Sequence, residues 1–243
     1  MSSSSSPSGV SPQLWATLSE AIAIDPAAGR RPRVVDCGGG SGSLAVPLAV
    51  AGAEVTVVDV SIDALGTLMR RAAEAGVSDR VEAVQGEAEQ LSELVSGHDV
   101  DVVLLHGVLE DVADQAAAIA QAAALLRPGG VLSVTMANPV AAVLARSLSG
   151  DVDGALRLAR AEQAPGSGPL RSTVDRLSDW CTAADLTVRS VSGLGVFSDL
   201  VPGIELERPG AQNALAELEA EVAAVPPYRD IASRLHVLAA RVS

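Results

Sequence analysis

The chain has no lysine. All 17 basic residues are arginine, set against 30 acids, for a formal net charge of −13. A field of that sign disfavours non-specific binding to nucleic acid or to anionic membranes, though it leaves room for a local arginine patch. Aromatics are as scarce: Trp15, Trp180, Phe197 and Tyr228 are the only four. Trp15 and Trp180 fall on apolar helix faces, where core or lid roles are commoner than base stacking. The two cysteines, Cys37 and Cys181, are far apart. They make neither a metal site nor a disulfide framework, and a reduced, cytoplasmic setting follows. No apolar run approaches the ~18 residues of a membrane span. The head, Met1 to Ser8, has no basic residue and no apolar centre, so it does not read as a signal peptide.

What the chain does have is a length of 243 residues rich in alanine, valine and leucine, enough to bury one substantial core. Residues 1–10 read as a disordered tail and 11–243 as a single domain. Its organising stretch is Arg33-Val34-Val35-Asp36-Cys37-Gly38-Gly39-Gly40-Ser41-Gly42. Beta-branched residues favour a strand here, and the glycines permit a turn against which a ligand can press bare backbone. A helix beginning near Gly42 would aim free N–H groups at that ligand. The next apolar run ends at Asp59, 21 residues after Gly38. An acid at that distance from a glycine turn is the ribose-hydroxyl reader of nucleotide-binding sheets.

Downstream, helical and strand periodicities alternate. A leading helix spans Ser11 to Ile24, with Leu14, Trp15, Leu18 and Ile22 on one face. After strand two, Ser61 reads as an N-cap for a helix over Asp63 to Ala75, closed by Gly76. Strand three is Arg80 to Gln85, followed by a helix over Glu87 to Val95. Strand four is Val100 to Leu105. A helix over Val112 to Leu126 stops at Arg127-Pro128-Gly129-Gly130, and strand five is Val131 to Met136. Such alternation implies parallel pairing with right-handed crossovers. The alternation breaks after Asn138. Val140 to Ala161 reads as helical with a weak point at Gly150, and Pro165 to Pro169 as a flexible insert; the leading helix and 138–172 are the expected lid. A helix (Val174 to Asp185), a strand (Leu186 to Val191), a helix (Asn213 to Val225) and a final strand (Arg234 to Val242) complete the chain.

A dinucleotide site wants Gly-x-Gly-x-x-Gly, but Ser43 occupies its third position; the pattern here is Gly-x-Gly-x-Gly through Gly38, Gly40 and Gly42. With Asp59, Gln85-Gly86-Glu87-Ala88, Asp101-Val102-Val103 and Leu126-Arg127-Pro128-Gly129-Gly130-Val131-Leu132, it resembles the class I S-adenosylmethionine-dependent methyltransferases. The resemblance implies an α/β fold, a Rossmann-like seven-stranded sheet, mostly parallel with the last strand antiparallel and helices on both faces. It implies S-adenosyl-L-methionine as cofactor, with Asp36, Gly38, Gly39, Gly40 and Gly42 near the methionine part, Asp59 and Val60 at the ribose, Glu87 and Ala88 by the adenine, and His106 beside the sulfonium. Further stretches, His106-Gly107-Val108-Leu109-Glu110-Asp111-Val112-Ala113-Asp114, Asn138, Gly150-Asp151-Val152 and Pro227-Tyr228 with Arg234-Leu235-His236-Val237, resemble bacterial tRNA 5-carboxymethoxyuridine methyltransferases. That group has a lysine-rich segment where this chain has Arg160 to Arg171 with two terminal arginines, and a basic head where this chain has serines.

Methyl transfer from a sulfonium is an in-line displacement, so alignment matters most. A carboxylate acceptor is already ionised at neutral pH and needs a cationic clamp; Arg234 and Arg229 are the candidates, with Tyr228 as partner. A hydroxyl or amine acceptor would need a base, and His106 is the best placed. The acceptor is then tRNA or a small molecule, with no metal and no membrane involved; a non-catalytic cofactor-binding protein is the reading from another class. His98 reads as solvated and His236 as a packing or surface residue. Arg30, Arg31 and Arg33 read as solvated loop charges, and Glu110 and Asp111 as dipole partners of a helix N-terminus.

Overall fold

Seven strands form one sheet in the order β3-β2-β1-β4-β5-β7-β6. The computed structural model describes residues 6–7, 9–22, 30–163 and 174–242. The strands are β1 (Arg33–Cys37), β2 (Glu54–Asp59), β3 (Val81–Gln85), β4 (Val100–His106), β5 (Leu126–Ala137), β6 (Leu186–Leu194) and β7 (Arg234–Arg241). The first five pair in parallel, and β7 lies antiparallel between β5 and β6. This is the expected doubly wound sheet, with its order reversing between β1 and β4, where ligands bind beyond the carboxyl ends of the strands.

Successive strand residues face opposite layers. Val34, Val102 and Leu104 pack with α1 (Pro12–Ala21), α2 (Ala45–Val50) and α3 (Ile62–Glu74). Val35, Cys37, Val103 and Leu105 pack with α4 (Leu91–Leu94), α5 (Gln115–Leu125) and α8 (Val174–Ala183). Trp15 is buried in the first layer, and Trp180 leans on the second. Strand β4 is buried from Val100 to Leu105, which explains its unbroken apolar run. Ser61 caps α3 through the Ala64 amide, as expected.

Several boundaries differ from the sequence reading. The helix after the glycine turn starts at Ala45, not near Gly42, and is only six residues long. The residues between form a chain of turns, so no long helix aims its N-terminus at the turn. Arg127 to Gly130 belong to β5 as an outward kink: Val100 pairs with Leu126, then Val102 with Val131. The stretch 140–161 is two helices, α6 (Pro139–Leu148) and α7 (Val152–Gln163), broken at Gly150, whose φ of 84° suits glycine. A short helix α9 (Gly203–Leu206) precedes α10 (Ala211–Val222), and β6 runs on to Leu194. The insert 165–169 lies outside the described residues, as do 1–5.

Arg30 and Arg33 are not idle loop charges. Arg30 grips Asp101 with two hydrogen bonds of 2.7 and 2.9 Å, Arg127 adds a third at 2.7 Å, and Arg33 pairs with Asp99. Burial opposes the Asp101 charge, but these donors and the Arg33 amide outweigh it and hold the carboxyl below its usual range. The cluster closes the amino end of β4, opposite the site.

Candidate active site

Two cavities open at the carboxyl end of the sheet. The smaller, about 470 Å³, is walled by Cys37-Gly38, Val58-Asp59-Val60, Gly86 to Glu89, Gly107-Val108 and Asp111 to Ala113. The larger, about 600 Å³, is walled by Gly9 to Leu14 at the start of α1, by Ser43, Leu44, His106, Thr135 and Arg234, and by residues around Leu194–Asp199 and α10. His106 edges the larger and Gly107 the smaller, so the two lie side by side at the end of β4.

The glycine turn is shaped by what cannot fit there. Gly38 has φ of 70°, and a Cβ on it would lie 2.5 Å from Val108 Cγ2. A Cβ on Gly39 would strike the Asp36 carboxylate at 2.5 Å. Asp59 at the end of β2 accepts the Gly40 amide (2.9 Å) on one oxygen and the Ser61 amide (2.8 Å) on the other. Each oxygen keeps a further lone pair beside the cavity. Asp36 sits behind the turn, fully buried, with Oδ2 lacking a partner. Burial, then the neighbouring Asp59 charge, raises its carboxyl to about 7.

Three strands place a polar row under the larger cavity. His106 of β4 stands opposite Thr135 of β5, which stands opposite His236 of β7. His106 Nε2 lies 2.9 Å from Ser133 Oγ, and His236 Nε2 lies 2.8 Å from the same hydroxyl. His106 Nδ1 is buried without a partner. Burial, then the charges of His236 and Arg234, push the His106 imidazole down to about 3; burial brings His236 to about 4. His106 therefore lacks the basicity for the base role its position implied, and its one unpartnered nitrogen, Nδ1, is buried. His236, read as a packing or surface residue, is instead one end of this network; it was invisible because its partner lies 103 residues away.

Arg234 reaches over Gly107: a Cβ there would come within 2.9 Å of Arg234 Nη2. Its ion-pair partner among the described residues is Glu110 at 3.6 Å. Glu110 in turn accepts the Ala137 amide at 2.6 Å, which ties the segment after β4 to the end of β5. Asn138 caps α6 and donates to the carbonyls of Asp230 and Ala232, fixing the approach to β7. Val60, Glu87 and Ala88 lie on the smaller cavity as expected. Tyr228 lies on neither; it is half exposed, edge-on to Phe197 with ring centroids 6.2 Å apart. Arg229 turns to Asp230. Among the described residues none from 138–163 walls the larger cavity. The start of α1, α10 and 194–199 wall it, and Glu219 organises that loop by accepting the amides of Val196, Phe197 and Ser198.

A family model described as a methyltransferase domain matches residues 34–130. That match, the sheet order and the relatives below support a methyltransferase of the class I S-adenosylmethionine-dependent kind. Among individual relatives, the tRNA 5-carboxymethoxyuridine methyltransferase of Escherichia coli strain K12 is 28% identical over 228 residues, covering 93% of this chain and 85% of that protein. A ubiquinone biosynthesis O-methyltransferase of Methylocella silvestris is 34% identical over 187 residues, covering 72% of this chain and 65% of its own. Among solved structures, the CcbJ methyltransferase from Streptomyces caelestis superposes with a TM-score of 0.61 at 16% identity, covering 94% of this chain and 88% of that one. Magnesium protoporphyrin IX methyltransferase from Synechocystis, with bound SAH, gives 0.57 at 18% identity, covering 93% and 82%. No described helix is long and apolar enough to cross a membrane.

Proposed function

We propose that the smaller cavity holds S-adenosylmethionine and that the larger one presents a carboxylate to it for methylation. The observation that carries this reading is the side-by-side placement of the two cavities at His106-Gly107, with the Asp59 carboxylate on one side and Arg234 on the other. The residues fit the cofactor. Asp59 has lone pairs left for two ribose hydroxyls. Val60, Ala88, Val108 and Val112 offer apolar surface for a purine, flanked by Glu87. The turn through Gly38, Gly39, Gly40 and Gly42 offers backbone to the methionine part, and the unpartnered Asp36 carboxyl behind it would be stabilised by a cation. When bound, the cofactor supplies an electrophilic methyl group on a cationic sulfur.

A carboxylate acceptor suits what the chain provides. It is ionised at neutral pH, so it needs no base, and His106 offers none. Arg234, loosely held by Glu110, keeps N–H donors for it. Our first acceptor is the carboxyl group of a 5-carboxymethoxyuridine in tRNA, supported by the likeness to the Escherichia coli enzyme along most of both chains. A small-molecule acid or hydroxyl is the second reading, favoured by the cover that α10 puts over the cavity and by the net charge of −13.

The deciding experiment incubates the purified protein with labelled S-adenosylmethionine and tRNA that carries the unesterified uridine, followed by nucleoside mass spectrometry. The methyl ester should appear. No incorporation, with S-adenosylhomocysteine still bound in calorimetry, would leave the small-molecule reading; no binding would remove the cofactor assignment.

A further inference from the structure

We propose that Ser133 and His236 are positioning residues that act through His106, holding its ring at the floor of the acceptor cavity as an uncharged, orientation-locked group. The inference rests on the acceptor reading of the larger cavity for its role, but its geometry stands independently. It begins with a proton count. The Ser133 hydroxyl has one hydrogen and lies within 2.9 Å of one imidazole nitrogen and 2.8 Å of another. It can donate to one ring only, so the other ring must donate to it. The two histidines are thereby complementary tautomers.

Which ring donates follows from the unpartnered His106 Nδ1. A buried N–H without an acceptor costs more than a buried lone pair without a donor. The titratable groups bearing on this ring are His236 and Arg234, both from β7, and the positive guanidinium favours a lone pair over an N–H. His106 is therefore the Nε2–H tautomer donating to Ser133, whose hydroxyl donates to His236 Nε2, leaving His236 protonated on Nδ1. A second proton on His106 would bury an N–H⁺ with no acceptor, so the ring stays neutral. Glu110, four residues on, gives Oε1 to the Ala137 amide and the Arg234 side; its Oε2 is buried with no hydrogen-bond partner, His106 Nδ1 included.

The network lies on three neighbouring strands and is buried among valines and leucines, where polar groups persist only if satisfied. Its visible consequence is the edge of one ring, beside Thr135, in the wall of the larger cavity. An uncharged ring there adds no positive charge where a sulfonium must approach Arg234, and a fixed one keeps the transfer path in line.

The chain has only three histidines, His98, His106 and His236, which makes the test direct. Long-range nitrogen-15 NMR of the full chain should show His106 as Nε2–H and His236 as Nδ1–H, neither titrating between pH 5.5 and 9. Matching tautomers, the reversed pair, or a titration in that window would overturn the proposal. Ser133→Ala should lower kcat on the tRNA acceptor roughly tenfold, with KM and S-adenosylhomocysteine affinity unchanged, and Ser133→Thr should restore it. An unchanged kcat in a folded Ser133→Ala protein would remove the positioning role. If the wild type fails on tRNA, the acceptor reading falls and the NMR outcome still decides the network.

Discussion

Asp36 holds a carboxyl group in a place where its charge is unwelcome. Its folded pKa of about 7 lies above the ordinary 3.8, so the folded chain binds this proton more tightly than the unfolded one. Stability from this group is complete below about 4 and is lost as pH rises through about 7, an effect of at most about 4 kcal/mol. Asp36→Asn should raise the melting temperature by several degrees at pH 8, by less at pH 5, and leave it unchanged only below about pH 4, measured by calorimetry. The same substitution should weaken cofactor binding about tenfold, because the neutral amide cannot answer a cation. Equal melting temperatures at pH 8 would mean that the carboxyl is not charged there. Such a residue trades stability for binding. The sequence placed Asp36 at the end of a strand before a glycine turn. It could not disclose that one oxygen would lack a partner, since that depends on Gly39 and Asp59 closing around it.

At the scale of elements, the first β1-turn-α2 unit works only against the segment following β4. Gly38 and Val108 meet across the smaller cavity, at a separation that leaves no room for a methyl group. Gly38→Ala should reduce S-adenosylhomocysteine affinity at least tenfold, both by the clash and by the positive φ, which costs a side chain about 1–2 kcal/mol. Adding Val108→Ala should restore part of the loss, the clash, and leave the backbone part; calorimetry on both variants separates the two. Full affinity in Gly38→Ala would show that the turn relaxes freely. The alternation of β1 to β5 with their helices was legible because buried parallel strands and amphipathic helices carry distinct periods. Proline-glycine punctuation misled at Arg127–Gly130, where the chain kinks outward without leaving the strand. The cover of the acceptor cavity was illegible for a different reason. α10 reaches it through Glu219, which gathers amides from a loop some 20 residues earlier, and no local pattern encodes that contact.

For the whole molecule, the charge of −13 is the dominant fact. Any polyanion must be drawn by a few arginines against a repelling background. Filter binding of tRNA between 50 and 200 mM salt should therefore give a log–log slope no steeper than about −2, the value of two or three phosphate contacts. A slope near −5 would require about six or seven phosphate contacts and would overturn this expectation.

The insertion of β7 between β5 and β6 also divides the two cavities by chain position. The walls of the smaller cavity come from within residues 37–113. The larger cavity needs Arg234, and its floor network His236, both carried by β7, which alone joins β6 to the rest of the sheet. The smaller cavity is thus complete within one stretch of chain, while the larger one depends on the strand at the far end of the sequence.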